Sequence, residues 1–342
     1  MIGLGGEIMF TYLKELTEIK GPSGFEDDVR EYIKSKIKDK VDEIFEDRMG
    51  NLIALKRGKT GGKKILLDAH MDEVGFMVTN INDDGTLSFA PLGGVDVRVI
   101  LGKKVLVGKD VLGIIGYKAA HLQRGEDYAR VPKYSELKID IGASSKSEAE
   151  KKVAIGDPVS FTTEYEEVGD YIIAKALDDR CGCSILMDLI NDGVETDCDV
   201  YFAFTVQEET GLRGPAIVAE QLNADMAIAV ETTTSGDDPE LEKQLWSTHL
   251  GNGPAITFMH SGYVVSKAIF DKLVETAKLN NIPFQYKMRT VGGTNARRYA
   301  STGIPAGVVS TPARYIHSPV SEVRKDDYEN AFKLLKAFLE SE

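Results

Sequence analysis

The sequence predicts an α/β fold in which a mostly parallel sheet is flanked by helices and interrupted by a small β-rich module. Three observations predict it. Five short apolar runs, KKILLDA (63–69), YIIAKAL (171–177), DVYFAFTV (199–206), ADMAIAV (224–230) and IPAGVVS (304–310), have the continuity of strands buried on both faces of a parallel sheet. The segments between the later runs have helical character, so strand and helix alternate. Residues 73–165 break that rhythm with short alternating strands around glycines and Asp-Gly turns.

In chain order, residues 22–40 open with a Pro-Ser-Gly turn and then carry Val29, Tyr32, Ile33 and Ile37 on one helical face. The first apolar run follows at 63–69. The inserted segment reads VGFMVTNINDDGTLSFAP (74–91), RVILGKKVLVG (98–108), VLGIIGY (111–117) and GDPVSFTTE (156–164), an all-β texture. After 170 the alternation resumes, with helices over CGCSILMDLIND (181–192), AIVAEQLN (216–223), SKAIFDKLVETAKLNN (266–281) and DDYENAFKLLKAFLE (326–340). The expected organisation is a discontinuous catalytic domain, 1–72 and 166–342, interrupted by a β-rich domain at 73–165.

The 342 residues carry 41 Lys and Arg against 54 Asp and Glu, a net charge of −13 without blocks of like charge. That balance argues against a nucleic-acid-binding face and against docking to an anionic membrane. No stretch approaches the ~18 apolar residues of a membrane span, and the start lacks the features of a signal peptide, so a soluble cytoplasmic protein is expected. Cys181, Cys183 and Cys198 match neither a CxxC redox motif nor a zinc knuckle and are expected to be reduced, buried thiols.

Four of the five runs end in acids or histidine: His70 and Asp72, Asp178 and Asp179, Glu208 and Glu209, and Glu231; the fifth leads on to His317. In open parallel sheets, residues beyond the carboxyl ends of the strands converge in one crevice. So many carboxylates cannot all ionise at close range without a cation. A pair of divalent ions is the economical solution, and histidine with carboxylate suits catalytic zinc, cobalt or manganese. Two ions about 3.5–4 Å apart need a bridging carboxylate, and they activate water and polarise a carbonyl, the chemistry of amide hydrolysis. Neighbouring side chains on extended backbone point apart, so one of Glu208 and Glu209 can bind metal while the other serves as general base.

The motifs AHMDEVGFMV (69–78), ALDDRCGCSIL (176–186), VQEETGLRG (206–214), VETTTSGDDP (230–239), GGTNA (292–296) and ARYIHSPVSE (313–322) resemble the dinuclear-metal aminopeptidases of the tetrahedral type. That family also includes glutamyl and deblocking aminopeptidases. The likeness keeps order and spacing from about residue 10 to 340, with PLGGVD (91–96) and IDIGASSKSEAE (139–150) inside the insert. It implies the dinuclear zinc peptidase fold and two divalent ions per subunit, zinc or cobalt, with manganese a further option. It makes His70 and Glu231 ligands of one ion, Asp178 the bridge, and Glu209 and His317 ligands of the other. Glu208 becomes the general base on a metal-bridging water, and Asp72 orients His70 through its second ring nitrogen. It further implies a cis Asp178–Asp179 peptide, a β-rich insert that pairs protomers, and dimers assembled into a hollow tetrahedral dodecamer. Glu231 stands where the family more often has Asp, and Asn295 where Asp is commoner. The first eight residues extend past the usual start.

Removal of N-terminal residues from peptides is the leading expectation. Hydrolysis of N-acyl amino acids or carboxypeptidase-type cleavage is the nearest alternative. Glycoside hydrolysis is more remote, since some similar proteins are labelled endoglucanases; it gives the two histidines no role, and Trp246 alone offers little platform for sugar stacking. His121, His249 and His260 are assigned to structure or oligomer contacts. Gly292, Gly293 and Thr294 read as a turn or a pocket wall, and Asp179 as a brace for a helix start or a functional group. Arg289, Arg297 and Arg314 read as solvated or ion-paired, with contact to a substrate carboxylate as the alternative.

Overall fold

A computed structural model describes residues 10–237 and 240–342; the N-terminal extension read from the first eight residues lies outside them, as do two residues of the 230–239 motif. The large sheet runs in the order Glu43–Glu46, Leu52–Lys56, Asp199–Thr205, Lys64–His70, Met226–Thr234, Ala306–Arg314, Ser321–Arg324, Tyr171–Ala174 and Glu166–Val168. Its four central strands, Asp199–Thr205 to Ala306–Arg314, are parallel. The rims are antiparallel, and three of their pairings join sequence neighbours through the short turns 47–51, 169–170 and 315–320, which cannot make a parallel crossover.

The run YIIAKAL therefore differs from the reading of it as a strand of the parallel core. Its strand lies near the edge, Ile172 and Ala174 are buried while Tyr171 and Ile173 are only half-buried, and its partner Ser321–Arg324 is antiparallel. Two reversals, Ala306–Arg314 to Ser321–Arg324 and back to Tyr171–Ala174, nevertheless turn its carboxyl end to the same side as the central strands.

Alternation along the central strands builds two cores. Ile65, Leu67 and Ala69 face the helices Leu13–Glu18, Asp27–Ile37, Leu177–Asp192 and Lys325–Glu340, whereas Leu66, Ala227, Ala229 and Val308 face Arg213–Leu222 and Ala296–Ser301. The three cysteines are buried and unpaired by disulfides, as expected. Six antiparallel strands between Gly75 and Phe161 close into a barrel with its own core, where Phe76 meets Phe89 and Phe161 at centroid distances of 5.0 and 5.5 Å. Among the described residues, no helix is long and apolar enough to cross a membrane.

One buried side chain ties the N-terminal helix to the site. Arg180 is fully buried; its Nε donates to the Met71 carbonyl at 2.8 Å, and Nη1 donates to the carbonyls of Leu16 and, at 3.1 Å, Ile19. Glu73 lies 3.9 Å from Nη2 and accepts from Lys175 Nζ at 2.8 Å. Arg180→Leu leaves those carbonyls unmet, while Glu73 keeps Lys175. The substitution is expected to cost about 1–3 kcal/mol for each unmet carbonyl, read as a lowered midpoint of urea unfolding; a loss below 1 kcal/mol contradicts this account.

Candidate metal centre

Five segments end at one edge of the sheet and bring the acids and imidazoles together. His70 closes its strand opposite Thr205, Glu231 sits inside Met226–Thr234, and His317 follows Ala306–Arg314. Asp178 and Asp179 open the helix Leu177–Asp192 with non-helical backbone, and the peptide between them is cis. Glu208 and Glu209 occupy a sharp turn into the helix Arg213–Leu222, with Gln207 and Leu212 at positive φ and the N–H groups of Gly211 and Leu212 donating to the Glu208 carbonyl at 2.9 and 2.8 Å. Gly214 has no room for a Cβ, which would lie 2.3 Å from Asn51 Oδ1 and 2.5 Å from the Val206 carbonyl oxygen.

Asp178 stands at the middle. Its Oδ1 lies 3.4 Å from His70 Nε2 and its Oδ2 3.4 Å from His317 Nε2. Glu231 Oε2 is 3.9 Å from His70 Nε2, and Glu209 Oε1 is 3.3 Å from His317 Nε2. His70, Asp178 and Glu231 form one group of potential metal donors, Asp178, Glu209 and His317 a second, and His70, Glu208 and Glu209 a third. Donors about 2.0–2.1 Å from a tetrahedral ion lie roughly 3.3–3.4 Å apart, which three of these four spacings match. Asp178 Oδ1 is buried and has no hydrogen-bond partner. The donor set therefore fits divalent cations, with no thiolate in it.

Both imidazoles are tied by Nδ1 and present Nε2. His70 Nδ1 lies 3.0 Å from the Asp72 carbonyl oxygen, with the Asp72 carboxylate at 3.4 Å; His317 Nδ1 lies 2.9 Å from the Gly94 carbonyl oxygen. Nδ1–H donation to these carbonyls fixes the tautomer that leaves Nε2 able to bind a metal. The Asp72 carboxylate is further engaged: it accepts from Ser23 Oγ at 2.5 Å and from the backbone N–H groups of Glu208 and Glu209 at 2.9 and 3.1 Å. Asp179 is fully buried and accepts from the N–H groups of His70 and Gly182, bracing both the strand end and the helix start.

The electrostatics show a surplus of acids. Burial, then the neighbouring carboxylates, push Glu208 up to about 8 and Glu209 up to about 7, and burial with Asp179 raises Glu231 well above 4.5. Burial pulls His317 down, but Asp178 and Glu209 outweigh it and hold it at about 10. Asp178, although buried, is kept below the usual range by the two imidazoles. A group whose folded pKa exceeds its unfolded one loses its stabilising contribution as pH rises between the two values. For Glu208 that window runs from 4.5 to about 8, for Glu209 from 4.5 to about 7 and for His317 from 6.5 to about 10. The melting midpoint of EDTA-dialysed protein is thus expected to fall between about pH 5 and about pH 8, and zinc, which replaces protons on these groups, to flatten the slope. A midpoint that climbs across that range in chelated protein contradicts the arrangement.

A cavity of about 380 Å³ opens on this cluster, lined by His70, Asp178, Glu208, Glu209, Glu231 and His317, and on its other walls by Thr232, Thr233, Thr234, Ser247, Lys287, Val291, Gly292, Gly293 and Thr294. The 292–294 loop is thus a pocket wall. Asn295 donates its backbone N–H to Glu231 Oε1 at 3.3 Å and its side-chain amide to Thr205 Oγ1 at 3.0 Å, beside the buried Asp68. A carboxylate at 295 would add a like charge there; the amide does not. His260 is buried against Thr294, His249 pairs with the Leu250 carbonyl and His121 is exposed, all outside the cluster. Arg314 is locked to Asp237 and Glu322, and Arg289 and Arg297 are exposed and do not line the cavity. Lys287, which the sequence reading did not single out, does line it.

A family model described as M42 glutamyl aminopeptidase matches residues 50–334. The glutamyl aminopeptidase of Lactococcus lactis is 32% identical over 97% of this chain and 96% of its own length. Among solved structures, an endoglucanase from Thermotoga maritima is 51% identical with a TM-score of 0.82, covering 96% of this chain and 97% of that one. The Pyrococcus horikoshii TET1 peptidase, which can assemble into a tetrahedron or a large octahedral shell, is 34% identical with a TM-score of 0.87, covering 98% of this chain and 100% of that one.

Proposed function

Because the chain belongs to the M42 glutamyl aminopeptidase family and is thereby a peptide hydrolase, we propose that it removes N-terminal residues from peptides at a centre for two divalent cations. The observation that carries this reading is the pair of donor groups sharing Asp178, with both imidazoles tied back through Nδ1. His70 and Glu231 would hold one ion, Glu209 and His317 the other, and Asp178 both; zinc or cobalt suits the donors, with manganese a further option. When bound, the ions supply Lewis acidity to the scissile carbonyl and make water nucleophilic near neutral pH.

The chain's own groups do the rest. Glu208 takes the proton of the attacking water and delivers it to the departing amine. Its side chain lines the cavity in one donor group with His70 and Glu209, and its backbone N–H is held by the Asp72 carboxylate at 2.9 Å, the placement a general base needs. Asp72 holds the turn that carries Glu208 and Glu209 by accepting both backbone N–H groups, and it keeps the His70 ring oriented. Asp179 anchors the end of the His70 strand.

Metal-loaded protein is expected to cleave unblocked aminoacyl-anilides and short peptides, to lose this with EDTA and to regain it with zinc or cobalt. N-acetylated peptides are expected to be poor substrates; faster cleavage of N-acyl amino acids transfers the site to the deacylase reading. Failure to cleave every unblocked substrate overturns the proposal. The name of the Thermotoga maritima protein favours a second reading, glycoside hydrolysis, whose signature is EDTA-insensitive cleavage of a β-glucan.

Assembly and location belong to the same proposal. The barrel segment 73–165 pairs copies of the chain, and dimers build a tetrahedral dodecamer in the cytoplasm. The assembly of the Pyrococcus horikoshii peptidase supports this, as do the outward-facing Leu112 and Ile114, which are 63% and 51% exposed on the barrel wall.

A further inference from the structure

We infer that Lys287 is a specificity-determining residue that anchors a carboxylate of the peptide substrate. This deepens the aminopeptidase reading and rests on it. Lys287 directly follows the short strand Gln285–Tyr286, which pairs in parallel with Ala255–Ile256. Its N–H donates to the Ile256 carbonyl at 3.3 Å, and the next N–H, of Met288, donates to the Ser247 carbonyl at 2.9 Å. The backbone is therefore held on both sides of the residue, and the side chain lines the cavity with only 7% of the residue exposed.

Among the described residues the Lys287 ammonium has neither a hydrogen bond nor an ion pair. Lys287 lines the cavity, so an anion bound there meets a charge that no protein group has taken up by hydrogen bond or ion pair. Burial lowers its pKa, and the carboxylates that hold its charge are Glu231 and Asp178. Those two acids are committed to cations in the proposed centre. The cavity wall presents four carboxylates, those of Asp178, Glu208, Glu209 and Glu231. Lys287 is the one Lys or Arg among the described residues lining the cavity, and with Glu231 and Asp178 engaged by cations its charge is open to an anion from the substrate. Thr233, Thr234 and Ser247 line the same cavity.

An ammonium is a compact charge with three donors, suited to a carboxylate in more than one approach. In a short peptide that carboxylate is either the side chain of an acidic N-terminal residue or the C-terminus of a dipeptide. Two substrate pairs separate these sources: glutamyl- against glutaminyl-anilide, and Ala-Ala against Ala-Ala-amide. The wild type is expected to favour the carboxylate member of at least one pair. In Lys287→Met that preference is expected to shrink by roughly 10- to 100-fold, mainly through KM, and in Lys287→Arg to be largely kept.

The inference is overturned if the wild type shows no preference in either pair, or if Lys287→Met leaves the preference intact. Calorimetric binding of glutamate against glutamine, and of Ala-Ala against its amide, to zinc-loaded wild type and variant makes the same comparison without turnover. Absence of all cleavage alongside a Lys287-dependent binding preference sinks the aminopeptidase reading and supports this one. Cleavage without that dependence does the reverse. Where Lys287→Met fails to fold, Lys287→Gln is the neutral variant to use.

Discussion

Glu208→Gln is expected to lower kcat by about 10²–10⁴-fold, the contribution of a positioned general base, while metal content and KM stay near those of the wild type. The amide keeps the size of the side chain and the backbone N–H donated to Asp72 at 2.9 Å, so the turn is preserved. What it removes is the ability to accept a proton. Elemental analysis is the necessary companion measurement, because Glu208 also lies in a donor group with His70 and Glu209. If the variant loses metal, Glu208 is a ligand; if it turns over within tenfold of wild type, another group is the base.

Asp178→Ala is expected to have the other large effect, and on a different quantity. Asp178 is the one residue common to the two groups that hold Glu231 and His317, so its loss leaves each with two donors. Metal binding should weaken by more than the roughly 10–100-fold that follows loss of a residue merely touching a ligand, and activity should vanish at ordinary metal concentrations. Isothermal titration with zinc and cobalt reads this directly. Undiminished stoichiometry and affinity would mean that Asp178 does not join the two groups. Glu208→Gln and Asp178→Ala thus separate proton transfer from metal retention within one cavity.

Much of the cluster was legible because it follows from strand direction. His70, Glu208, Glu209 and Glu231 each follow or end an apolar run, and the central strands are parallel, so their carboxyl ends meet by topology alone. Asp178 arrived by a less regular route, since its strand belongs to the antiparallel rim and points correctly only after two reversals. Strand pairing of that kind leaves no mark in local hydrophobicity. Lys287 was illegible for a related reason: the two-residue ladder that positions it is too short to show any periodicity. The burial of Arg180 was equally hidden, because its partners are main-chain carbonyls, which every residue possesses. The β texture of 73–165 was plain, but not that its six strands close on themselves, which depends on pairing between distant segments.

The Gly94 carbonyl that steadies His317 sits in the loop leading away from a barrel strand, and the adjacent Gly93 lies against the Glu209 side chain. The barrel is therefore no detachable accessory. A chimera that exchanges this segment between relatives inherits the chemistry only if it also inherits the two-glycine corner, and shortening that corner would release an imidazole far along the chain. Surface redesign of the barrel and tuning of catalysis are, for this chain, one engineering problem.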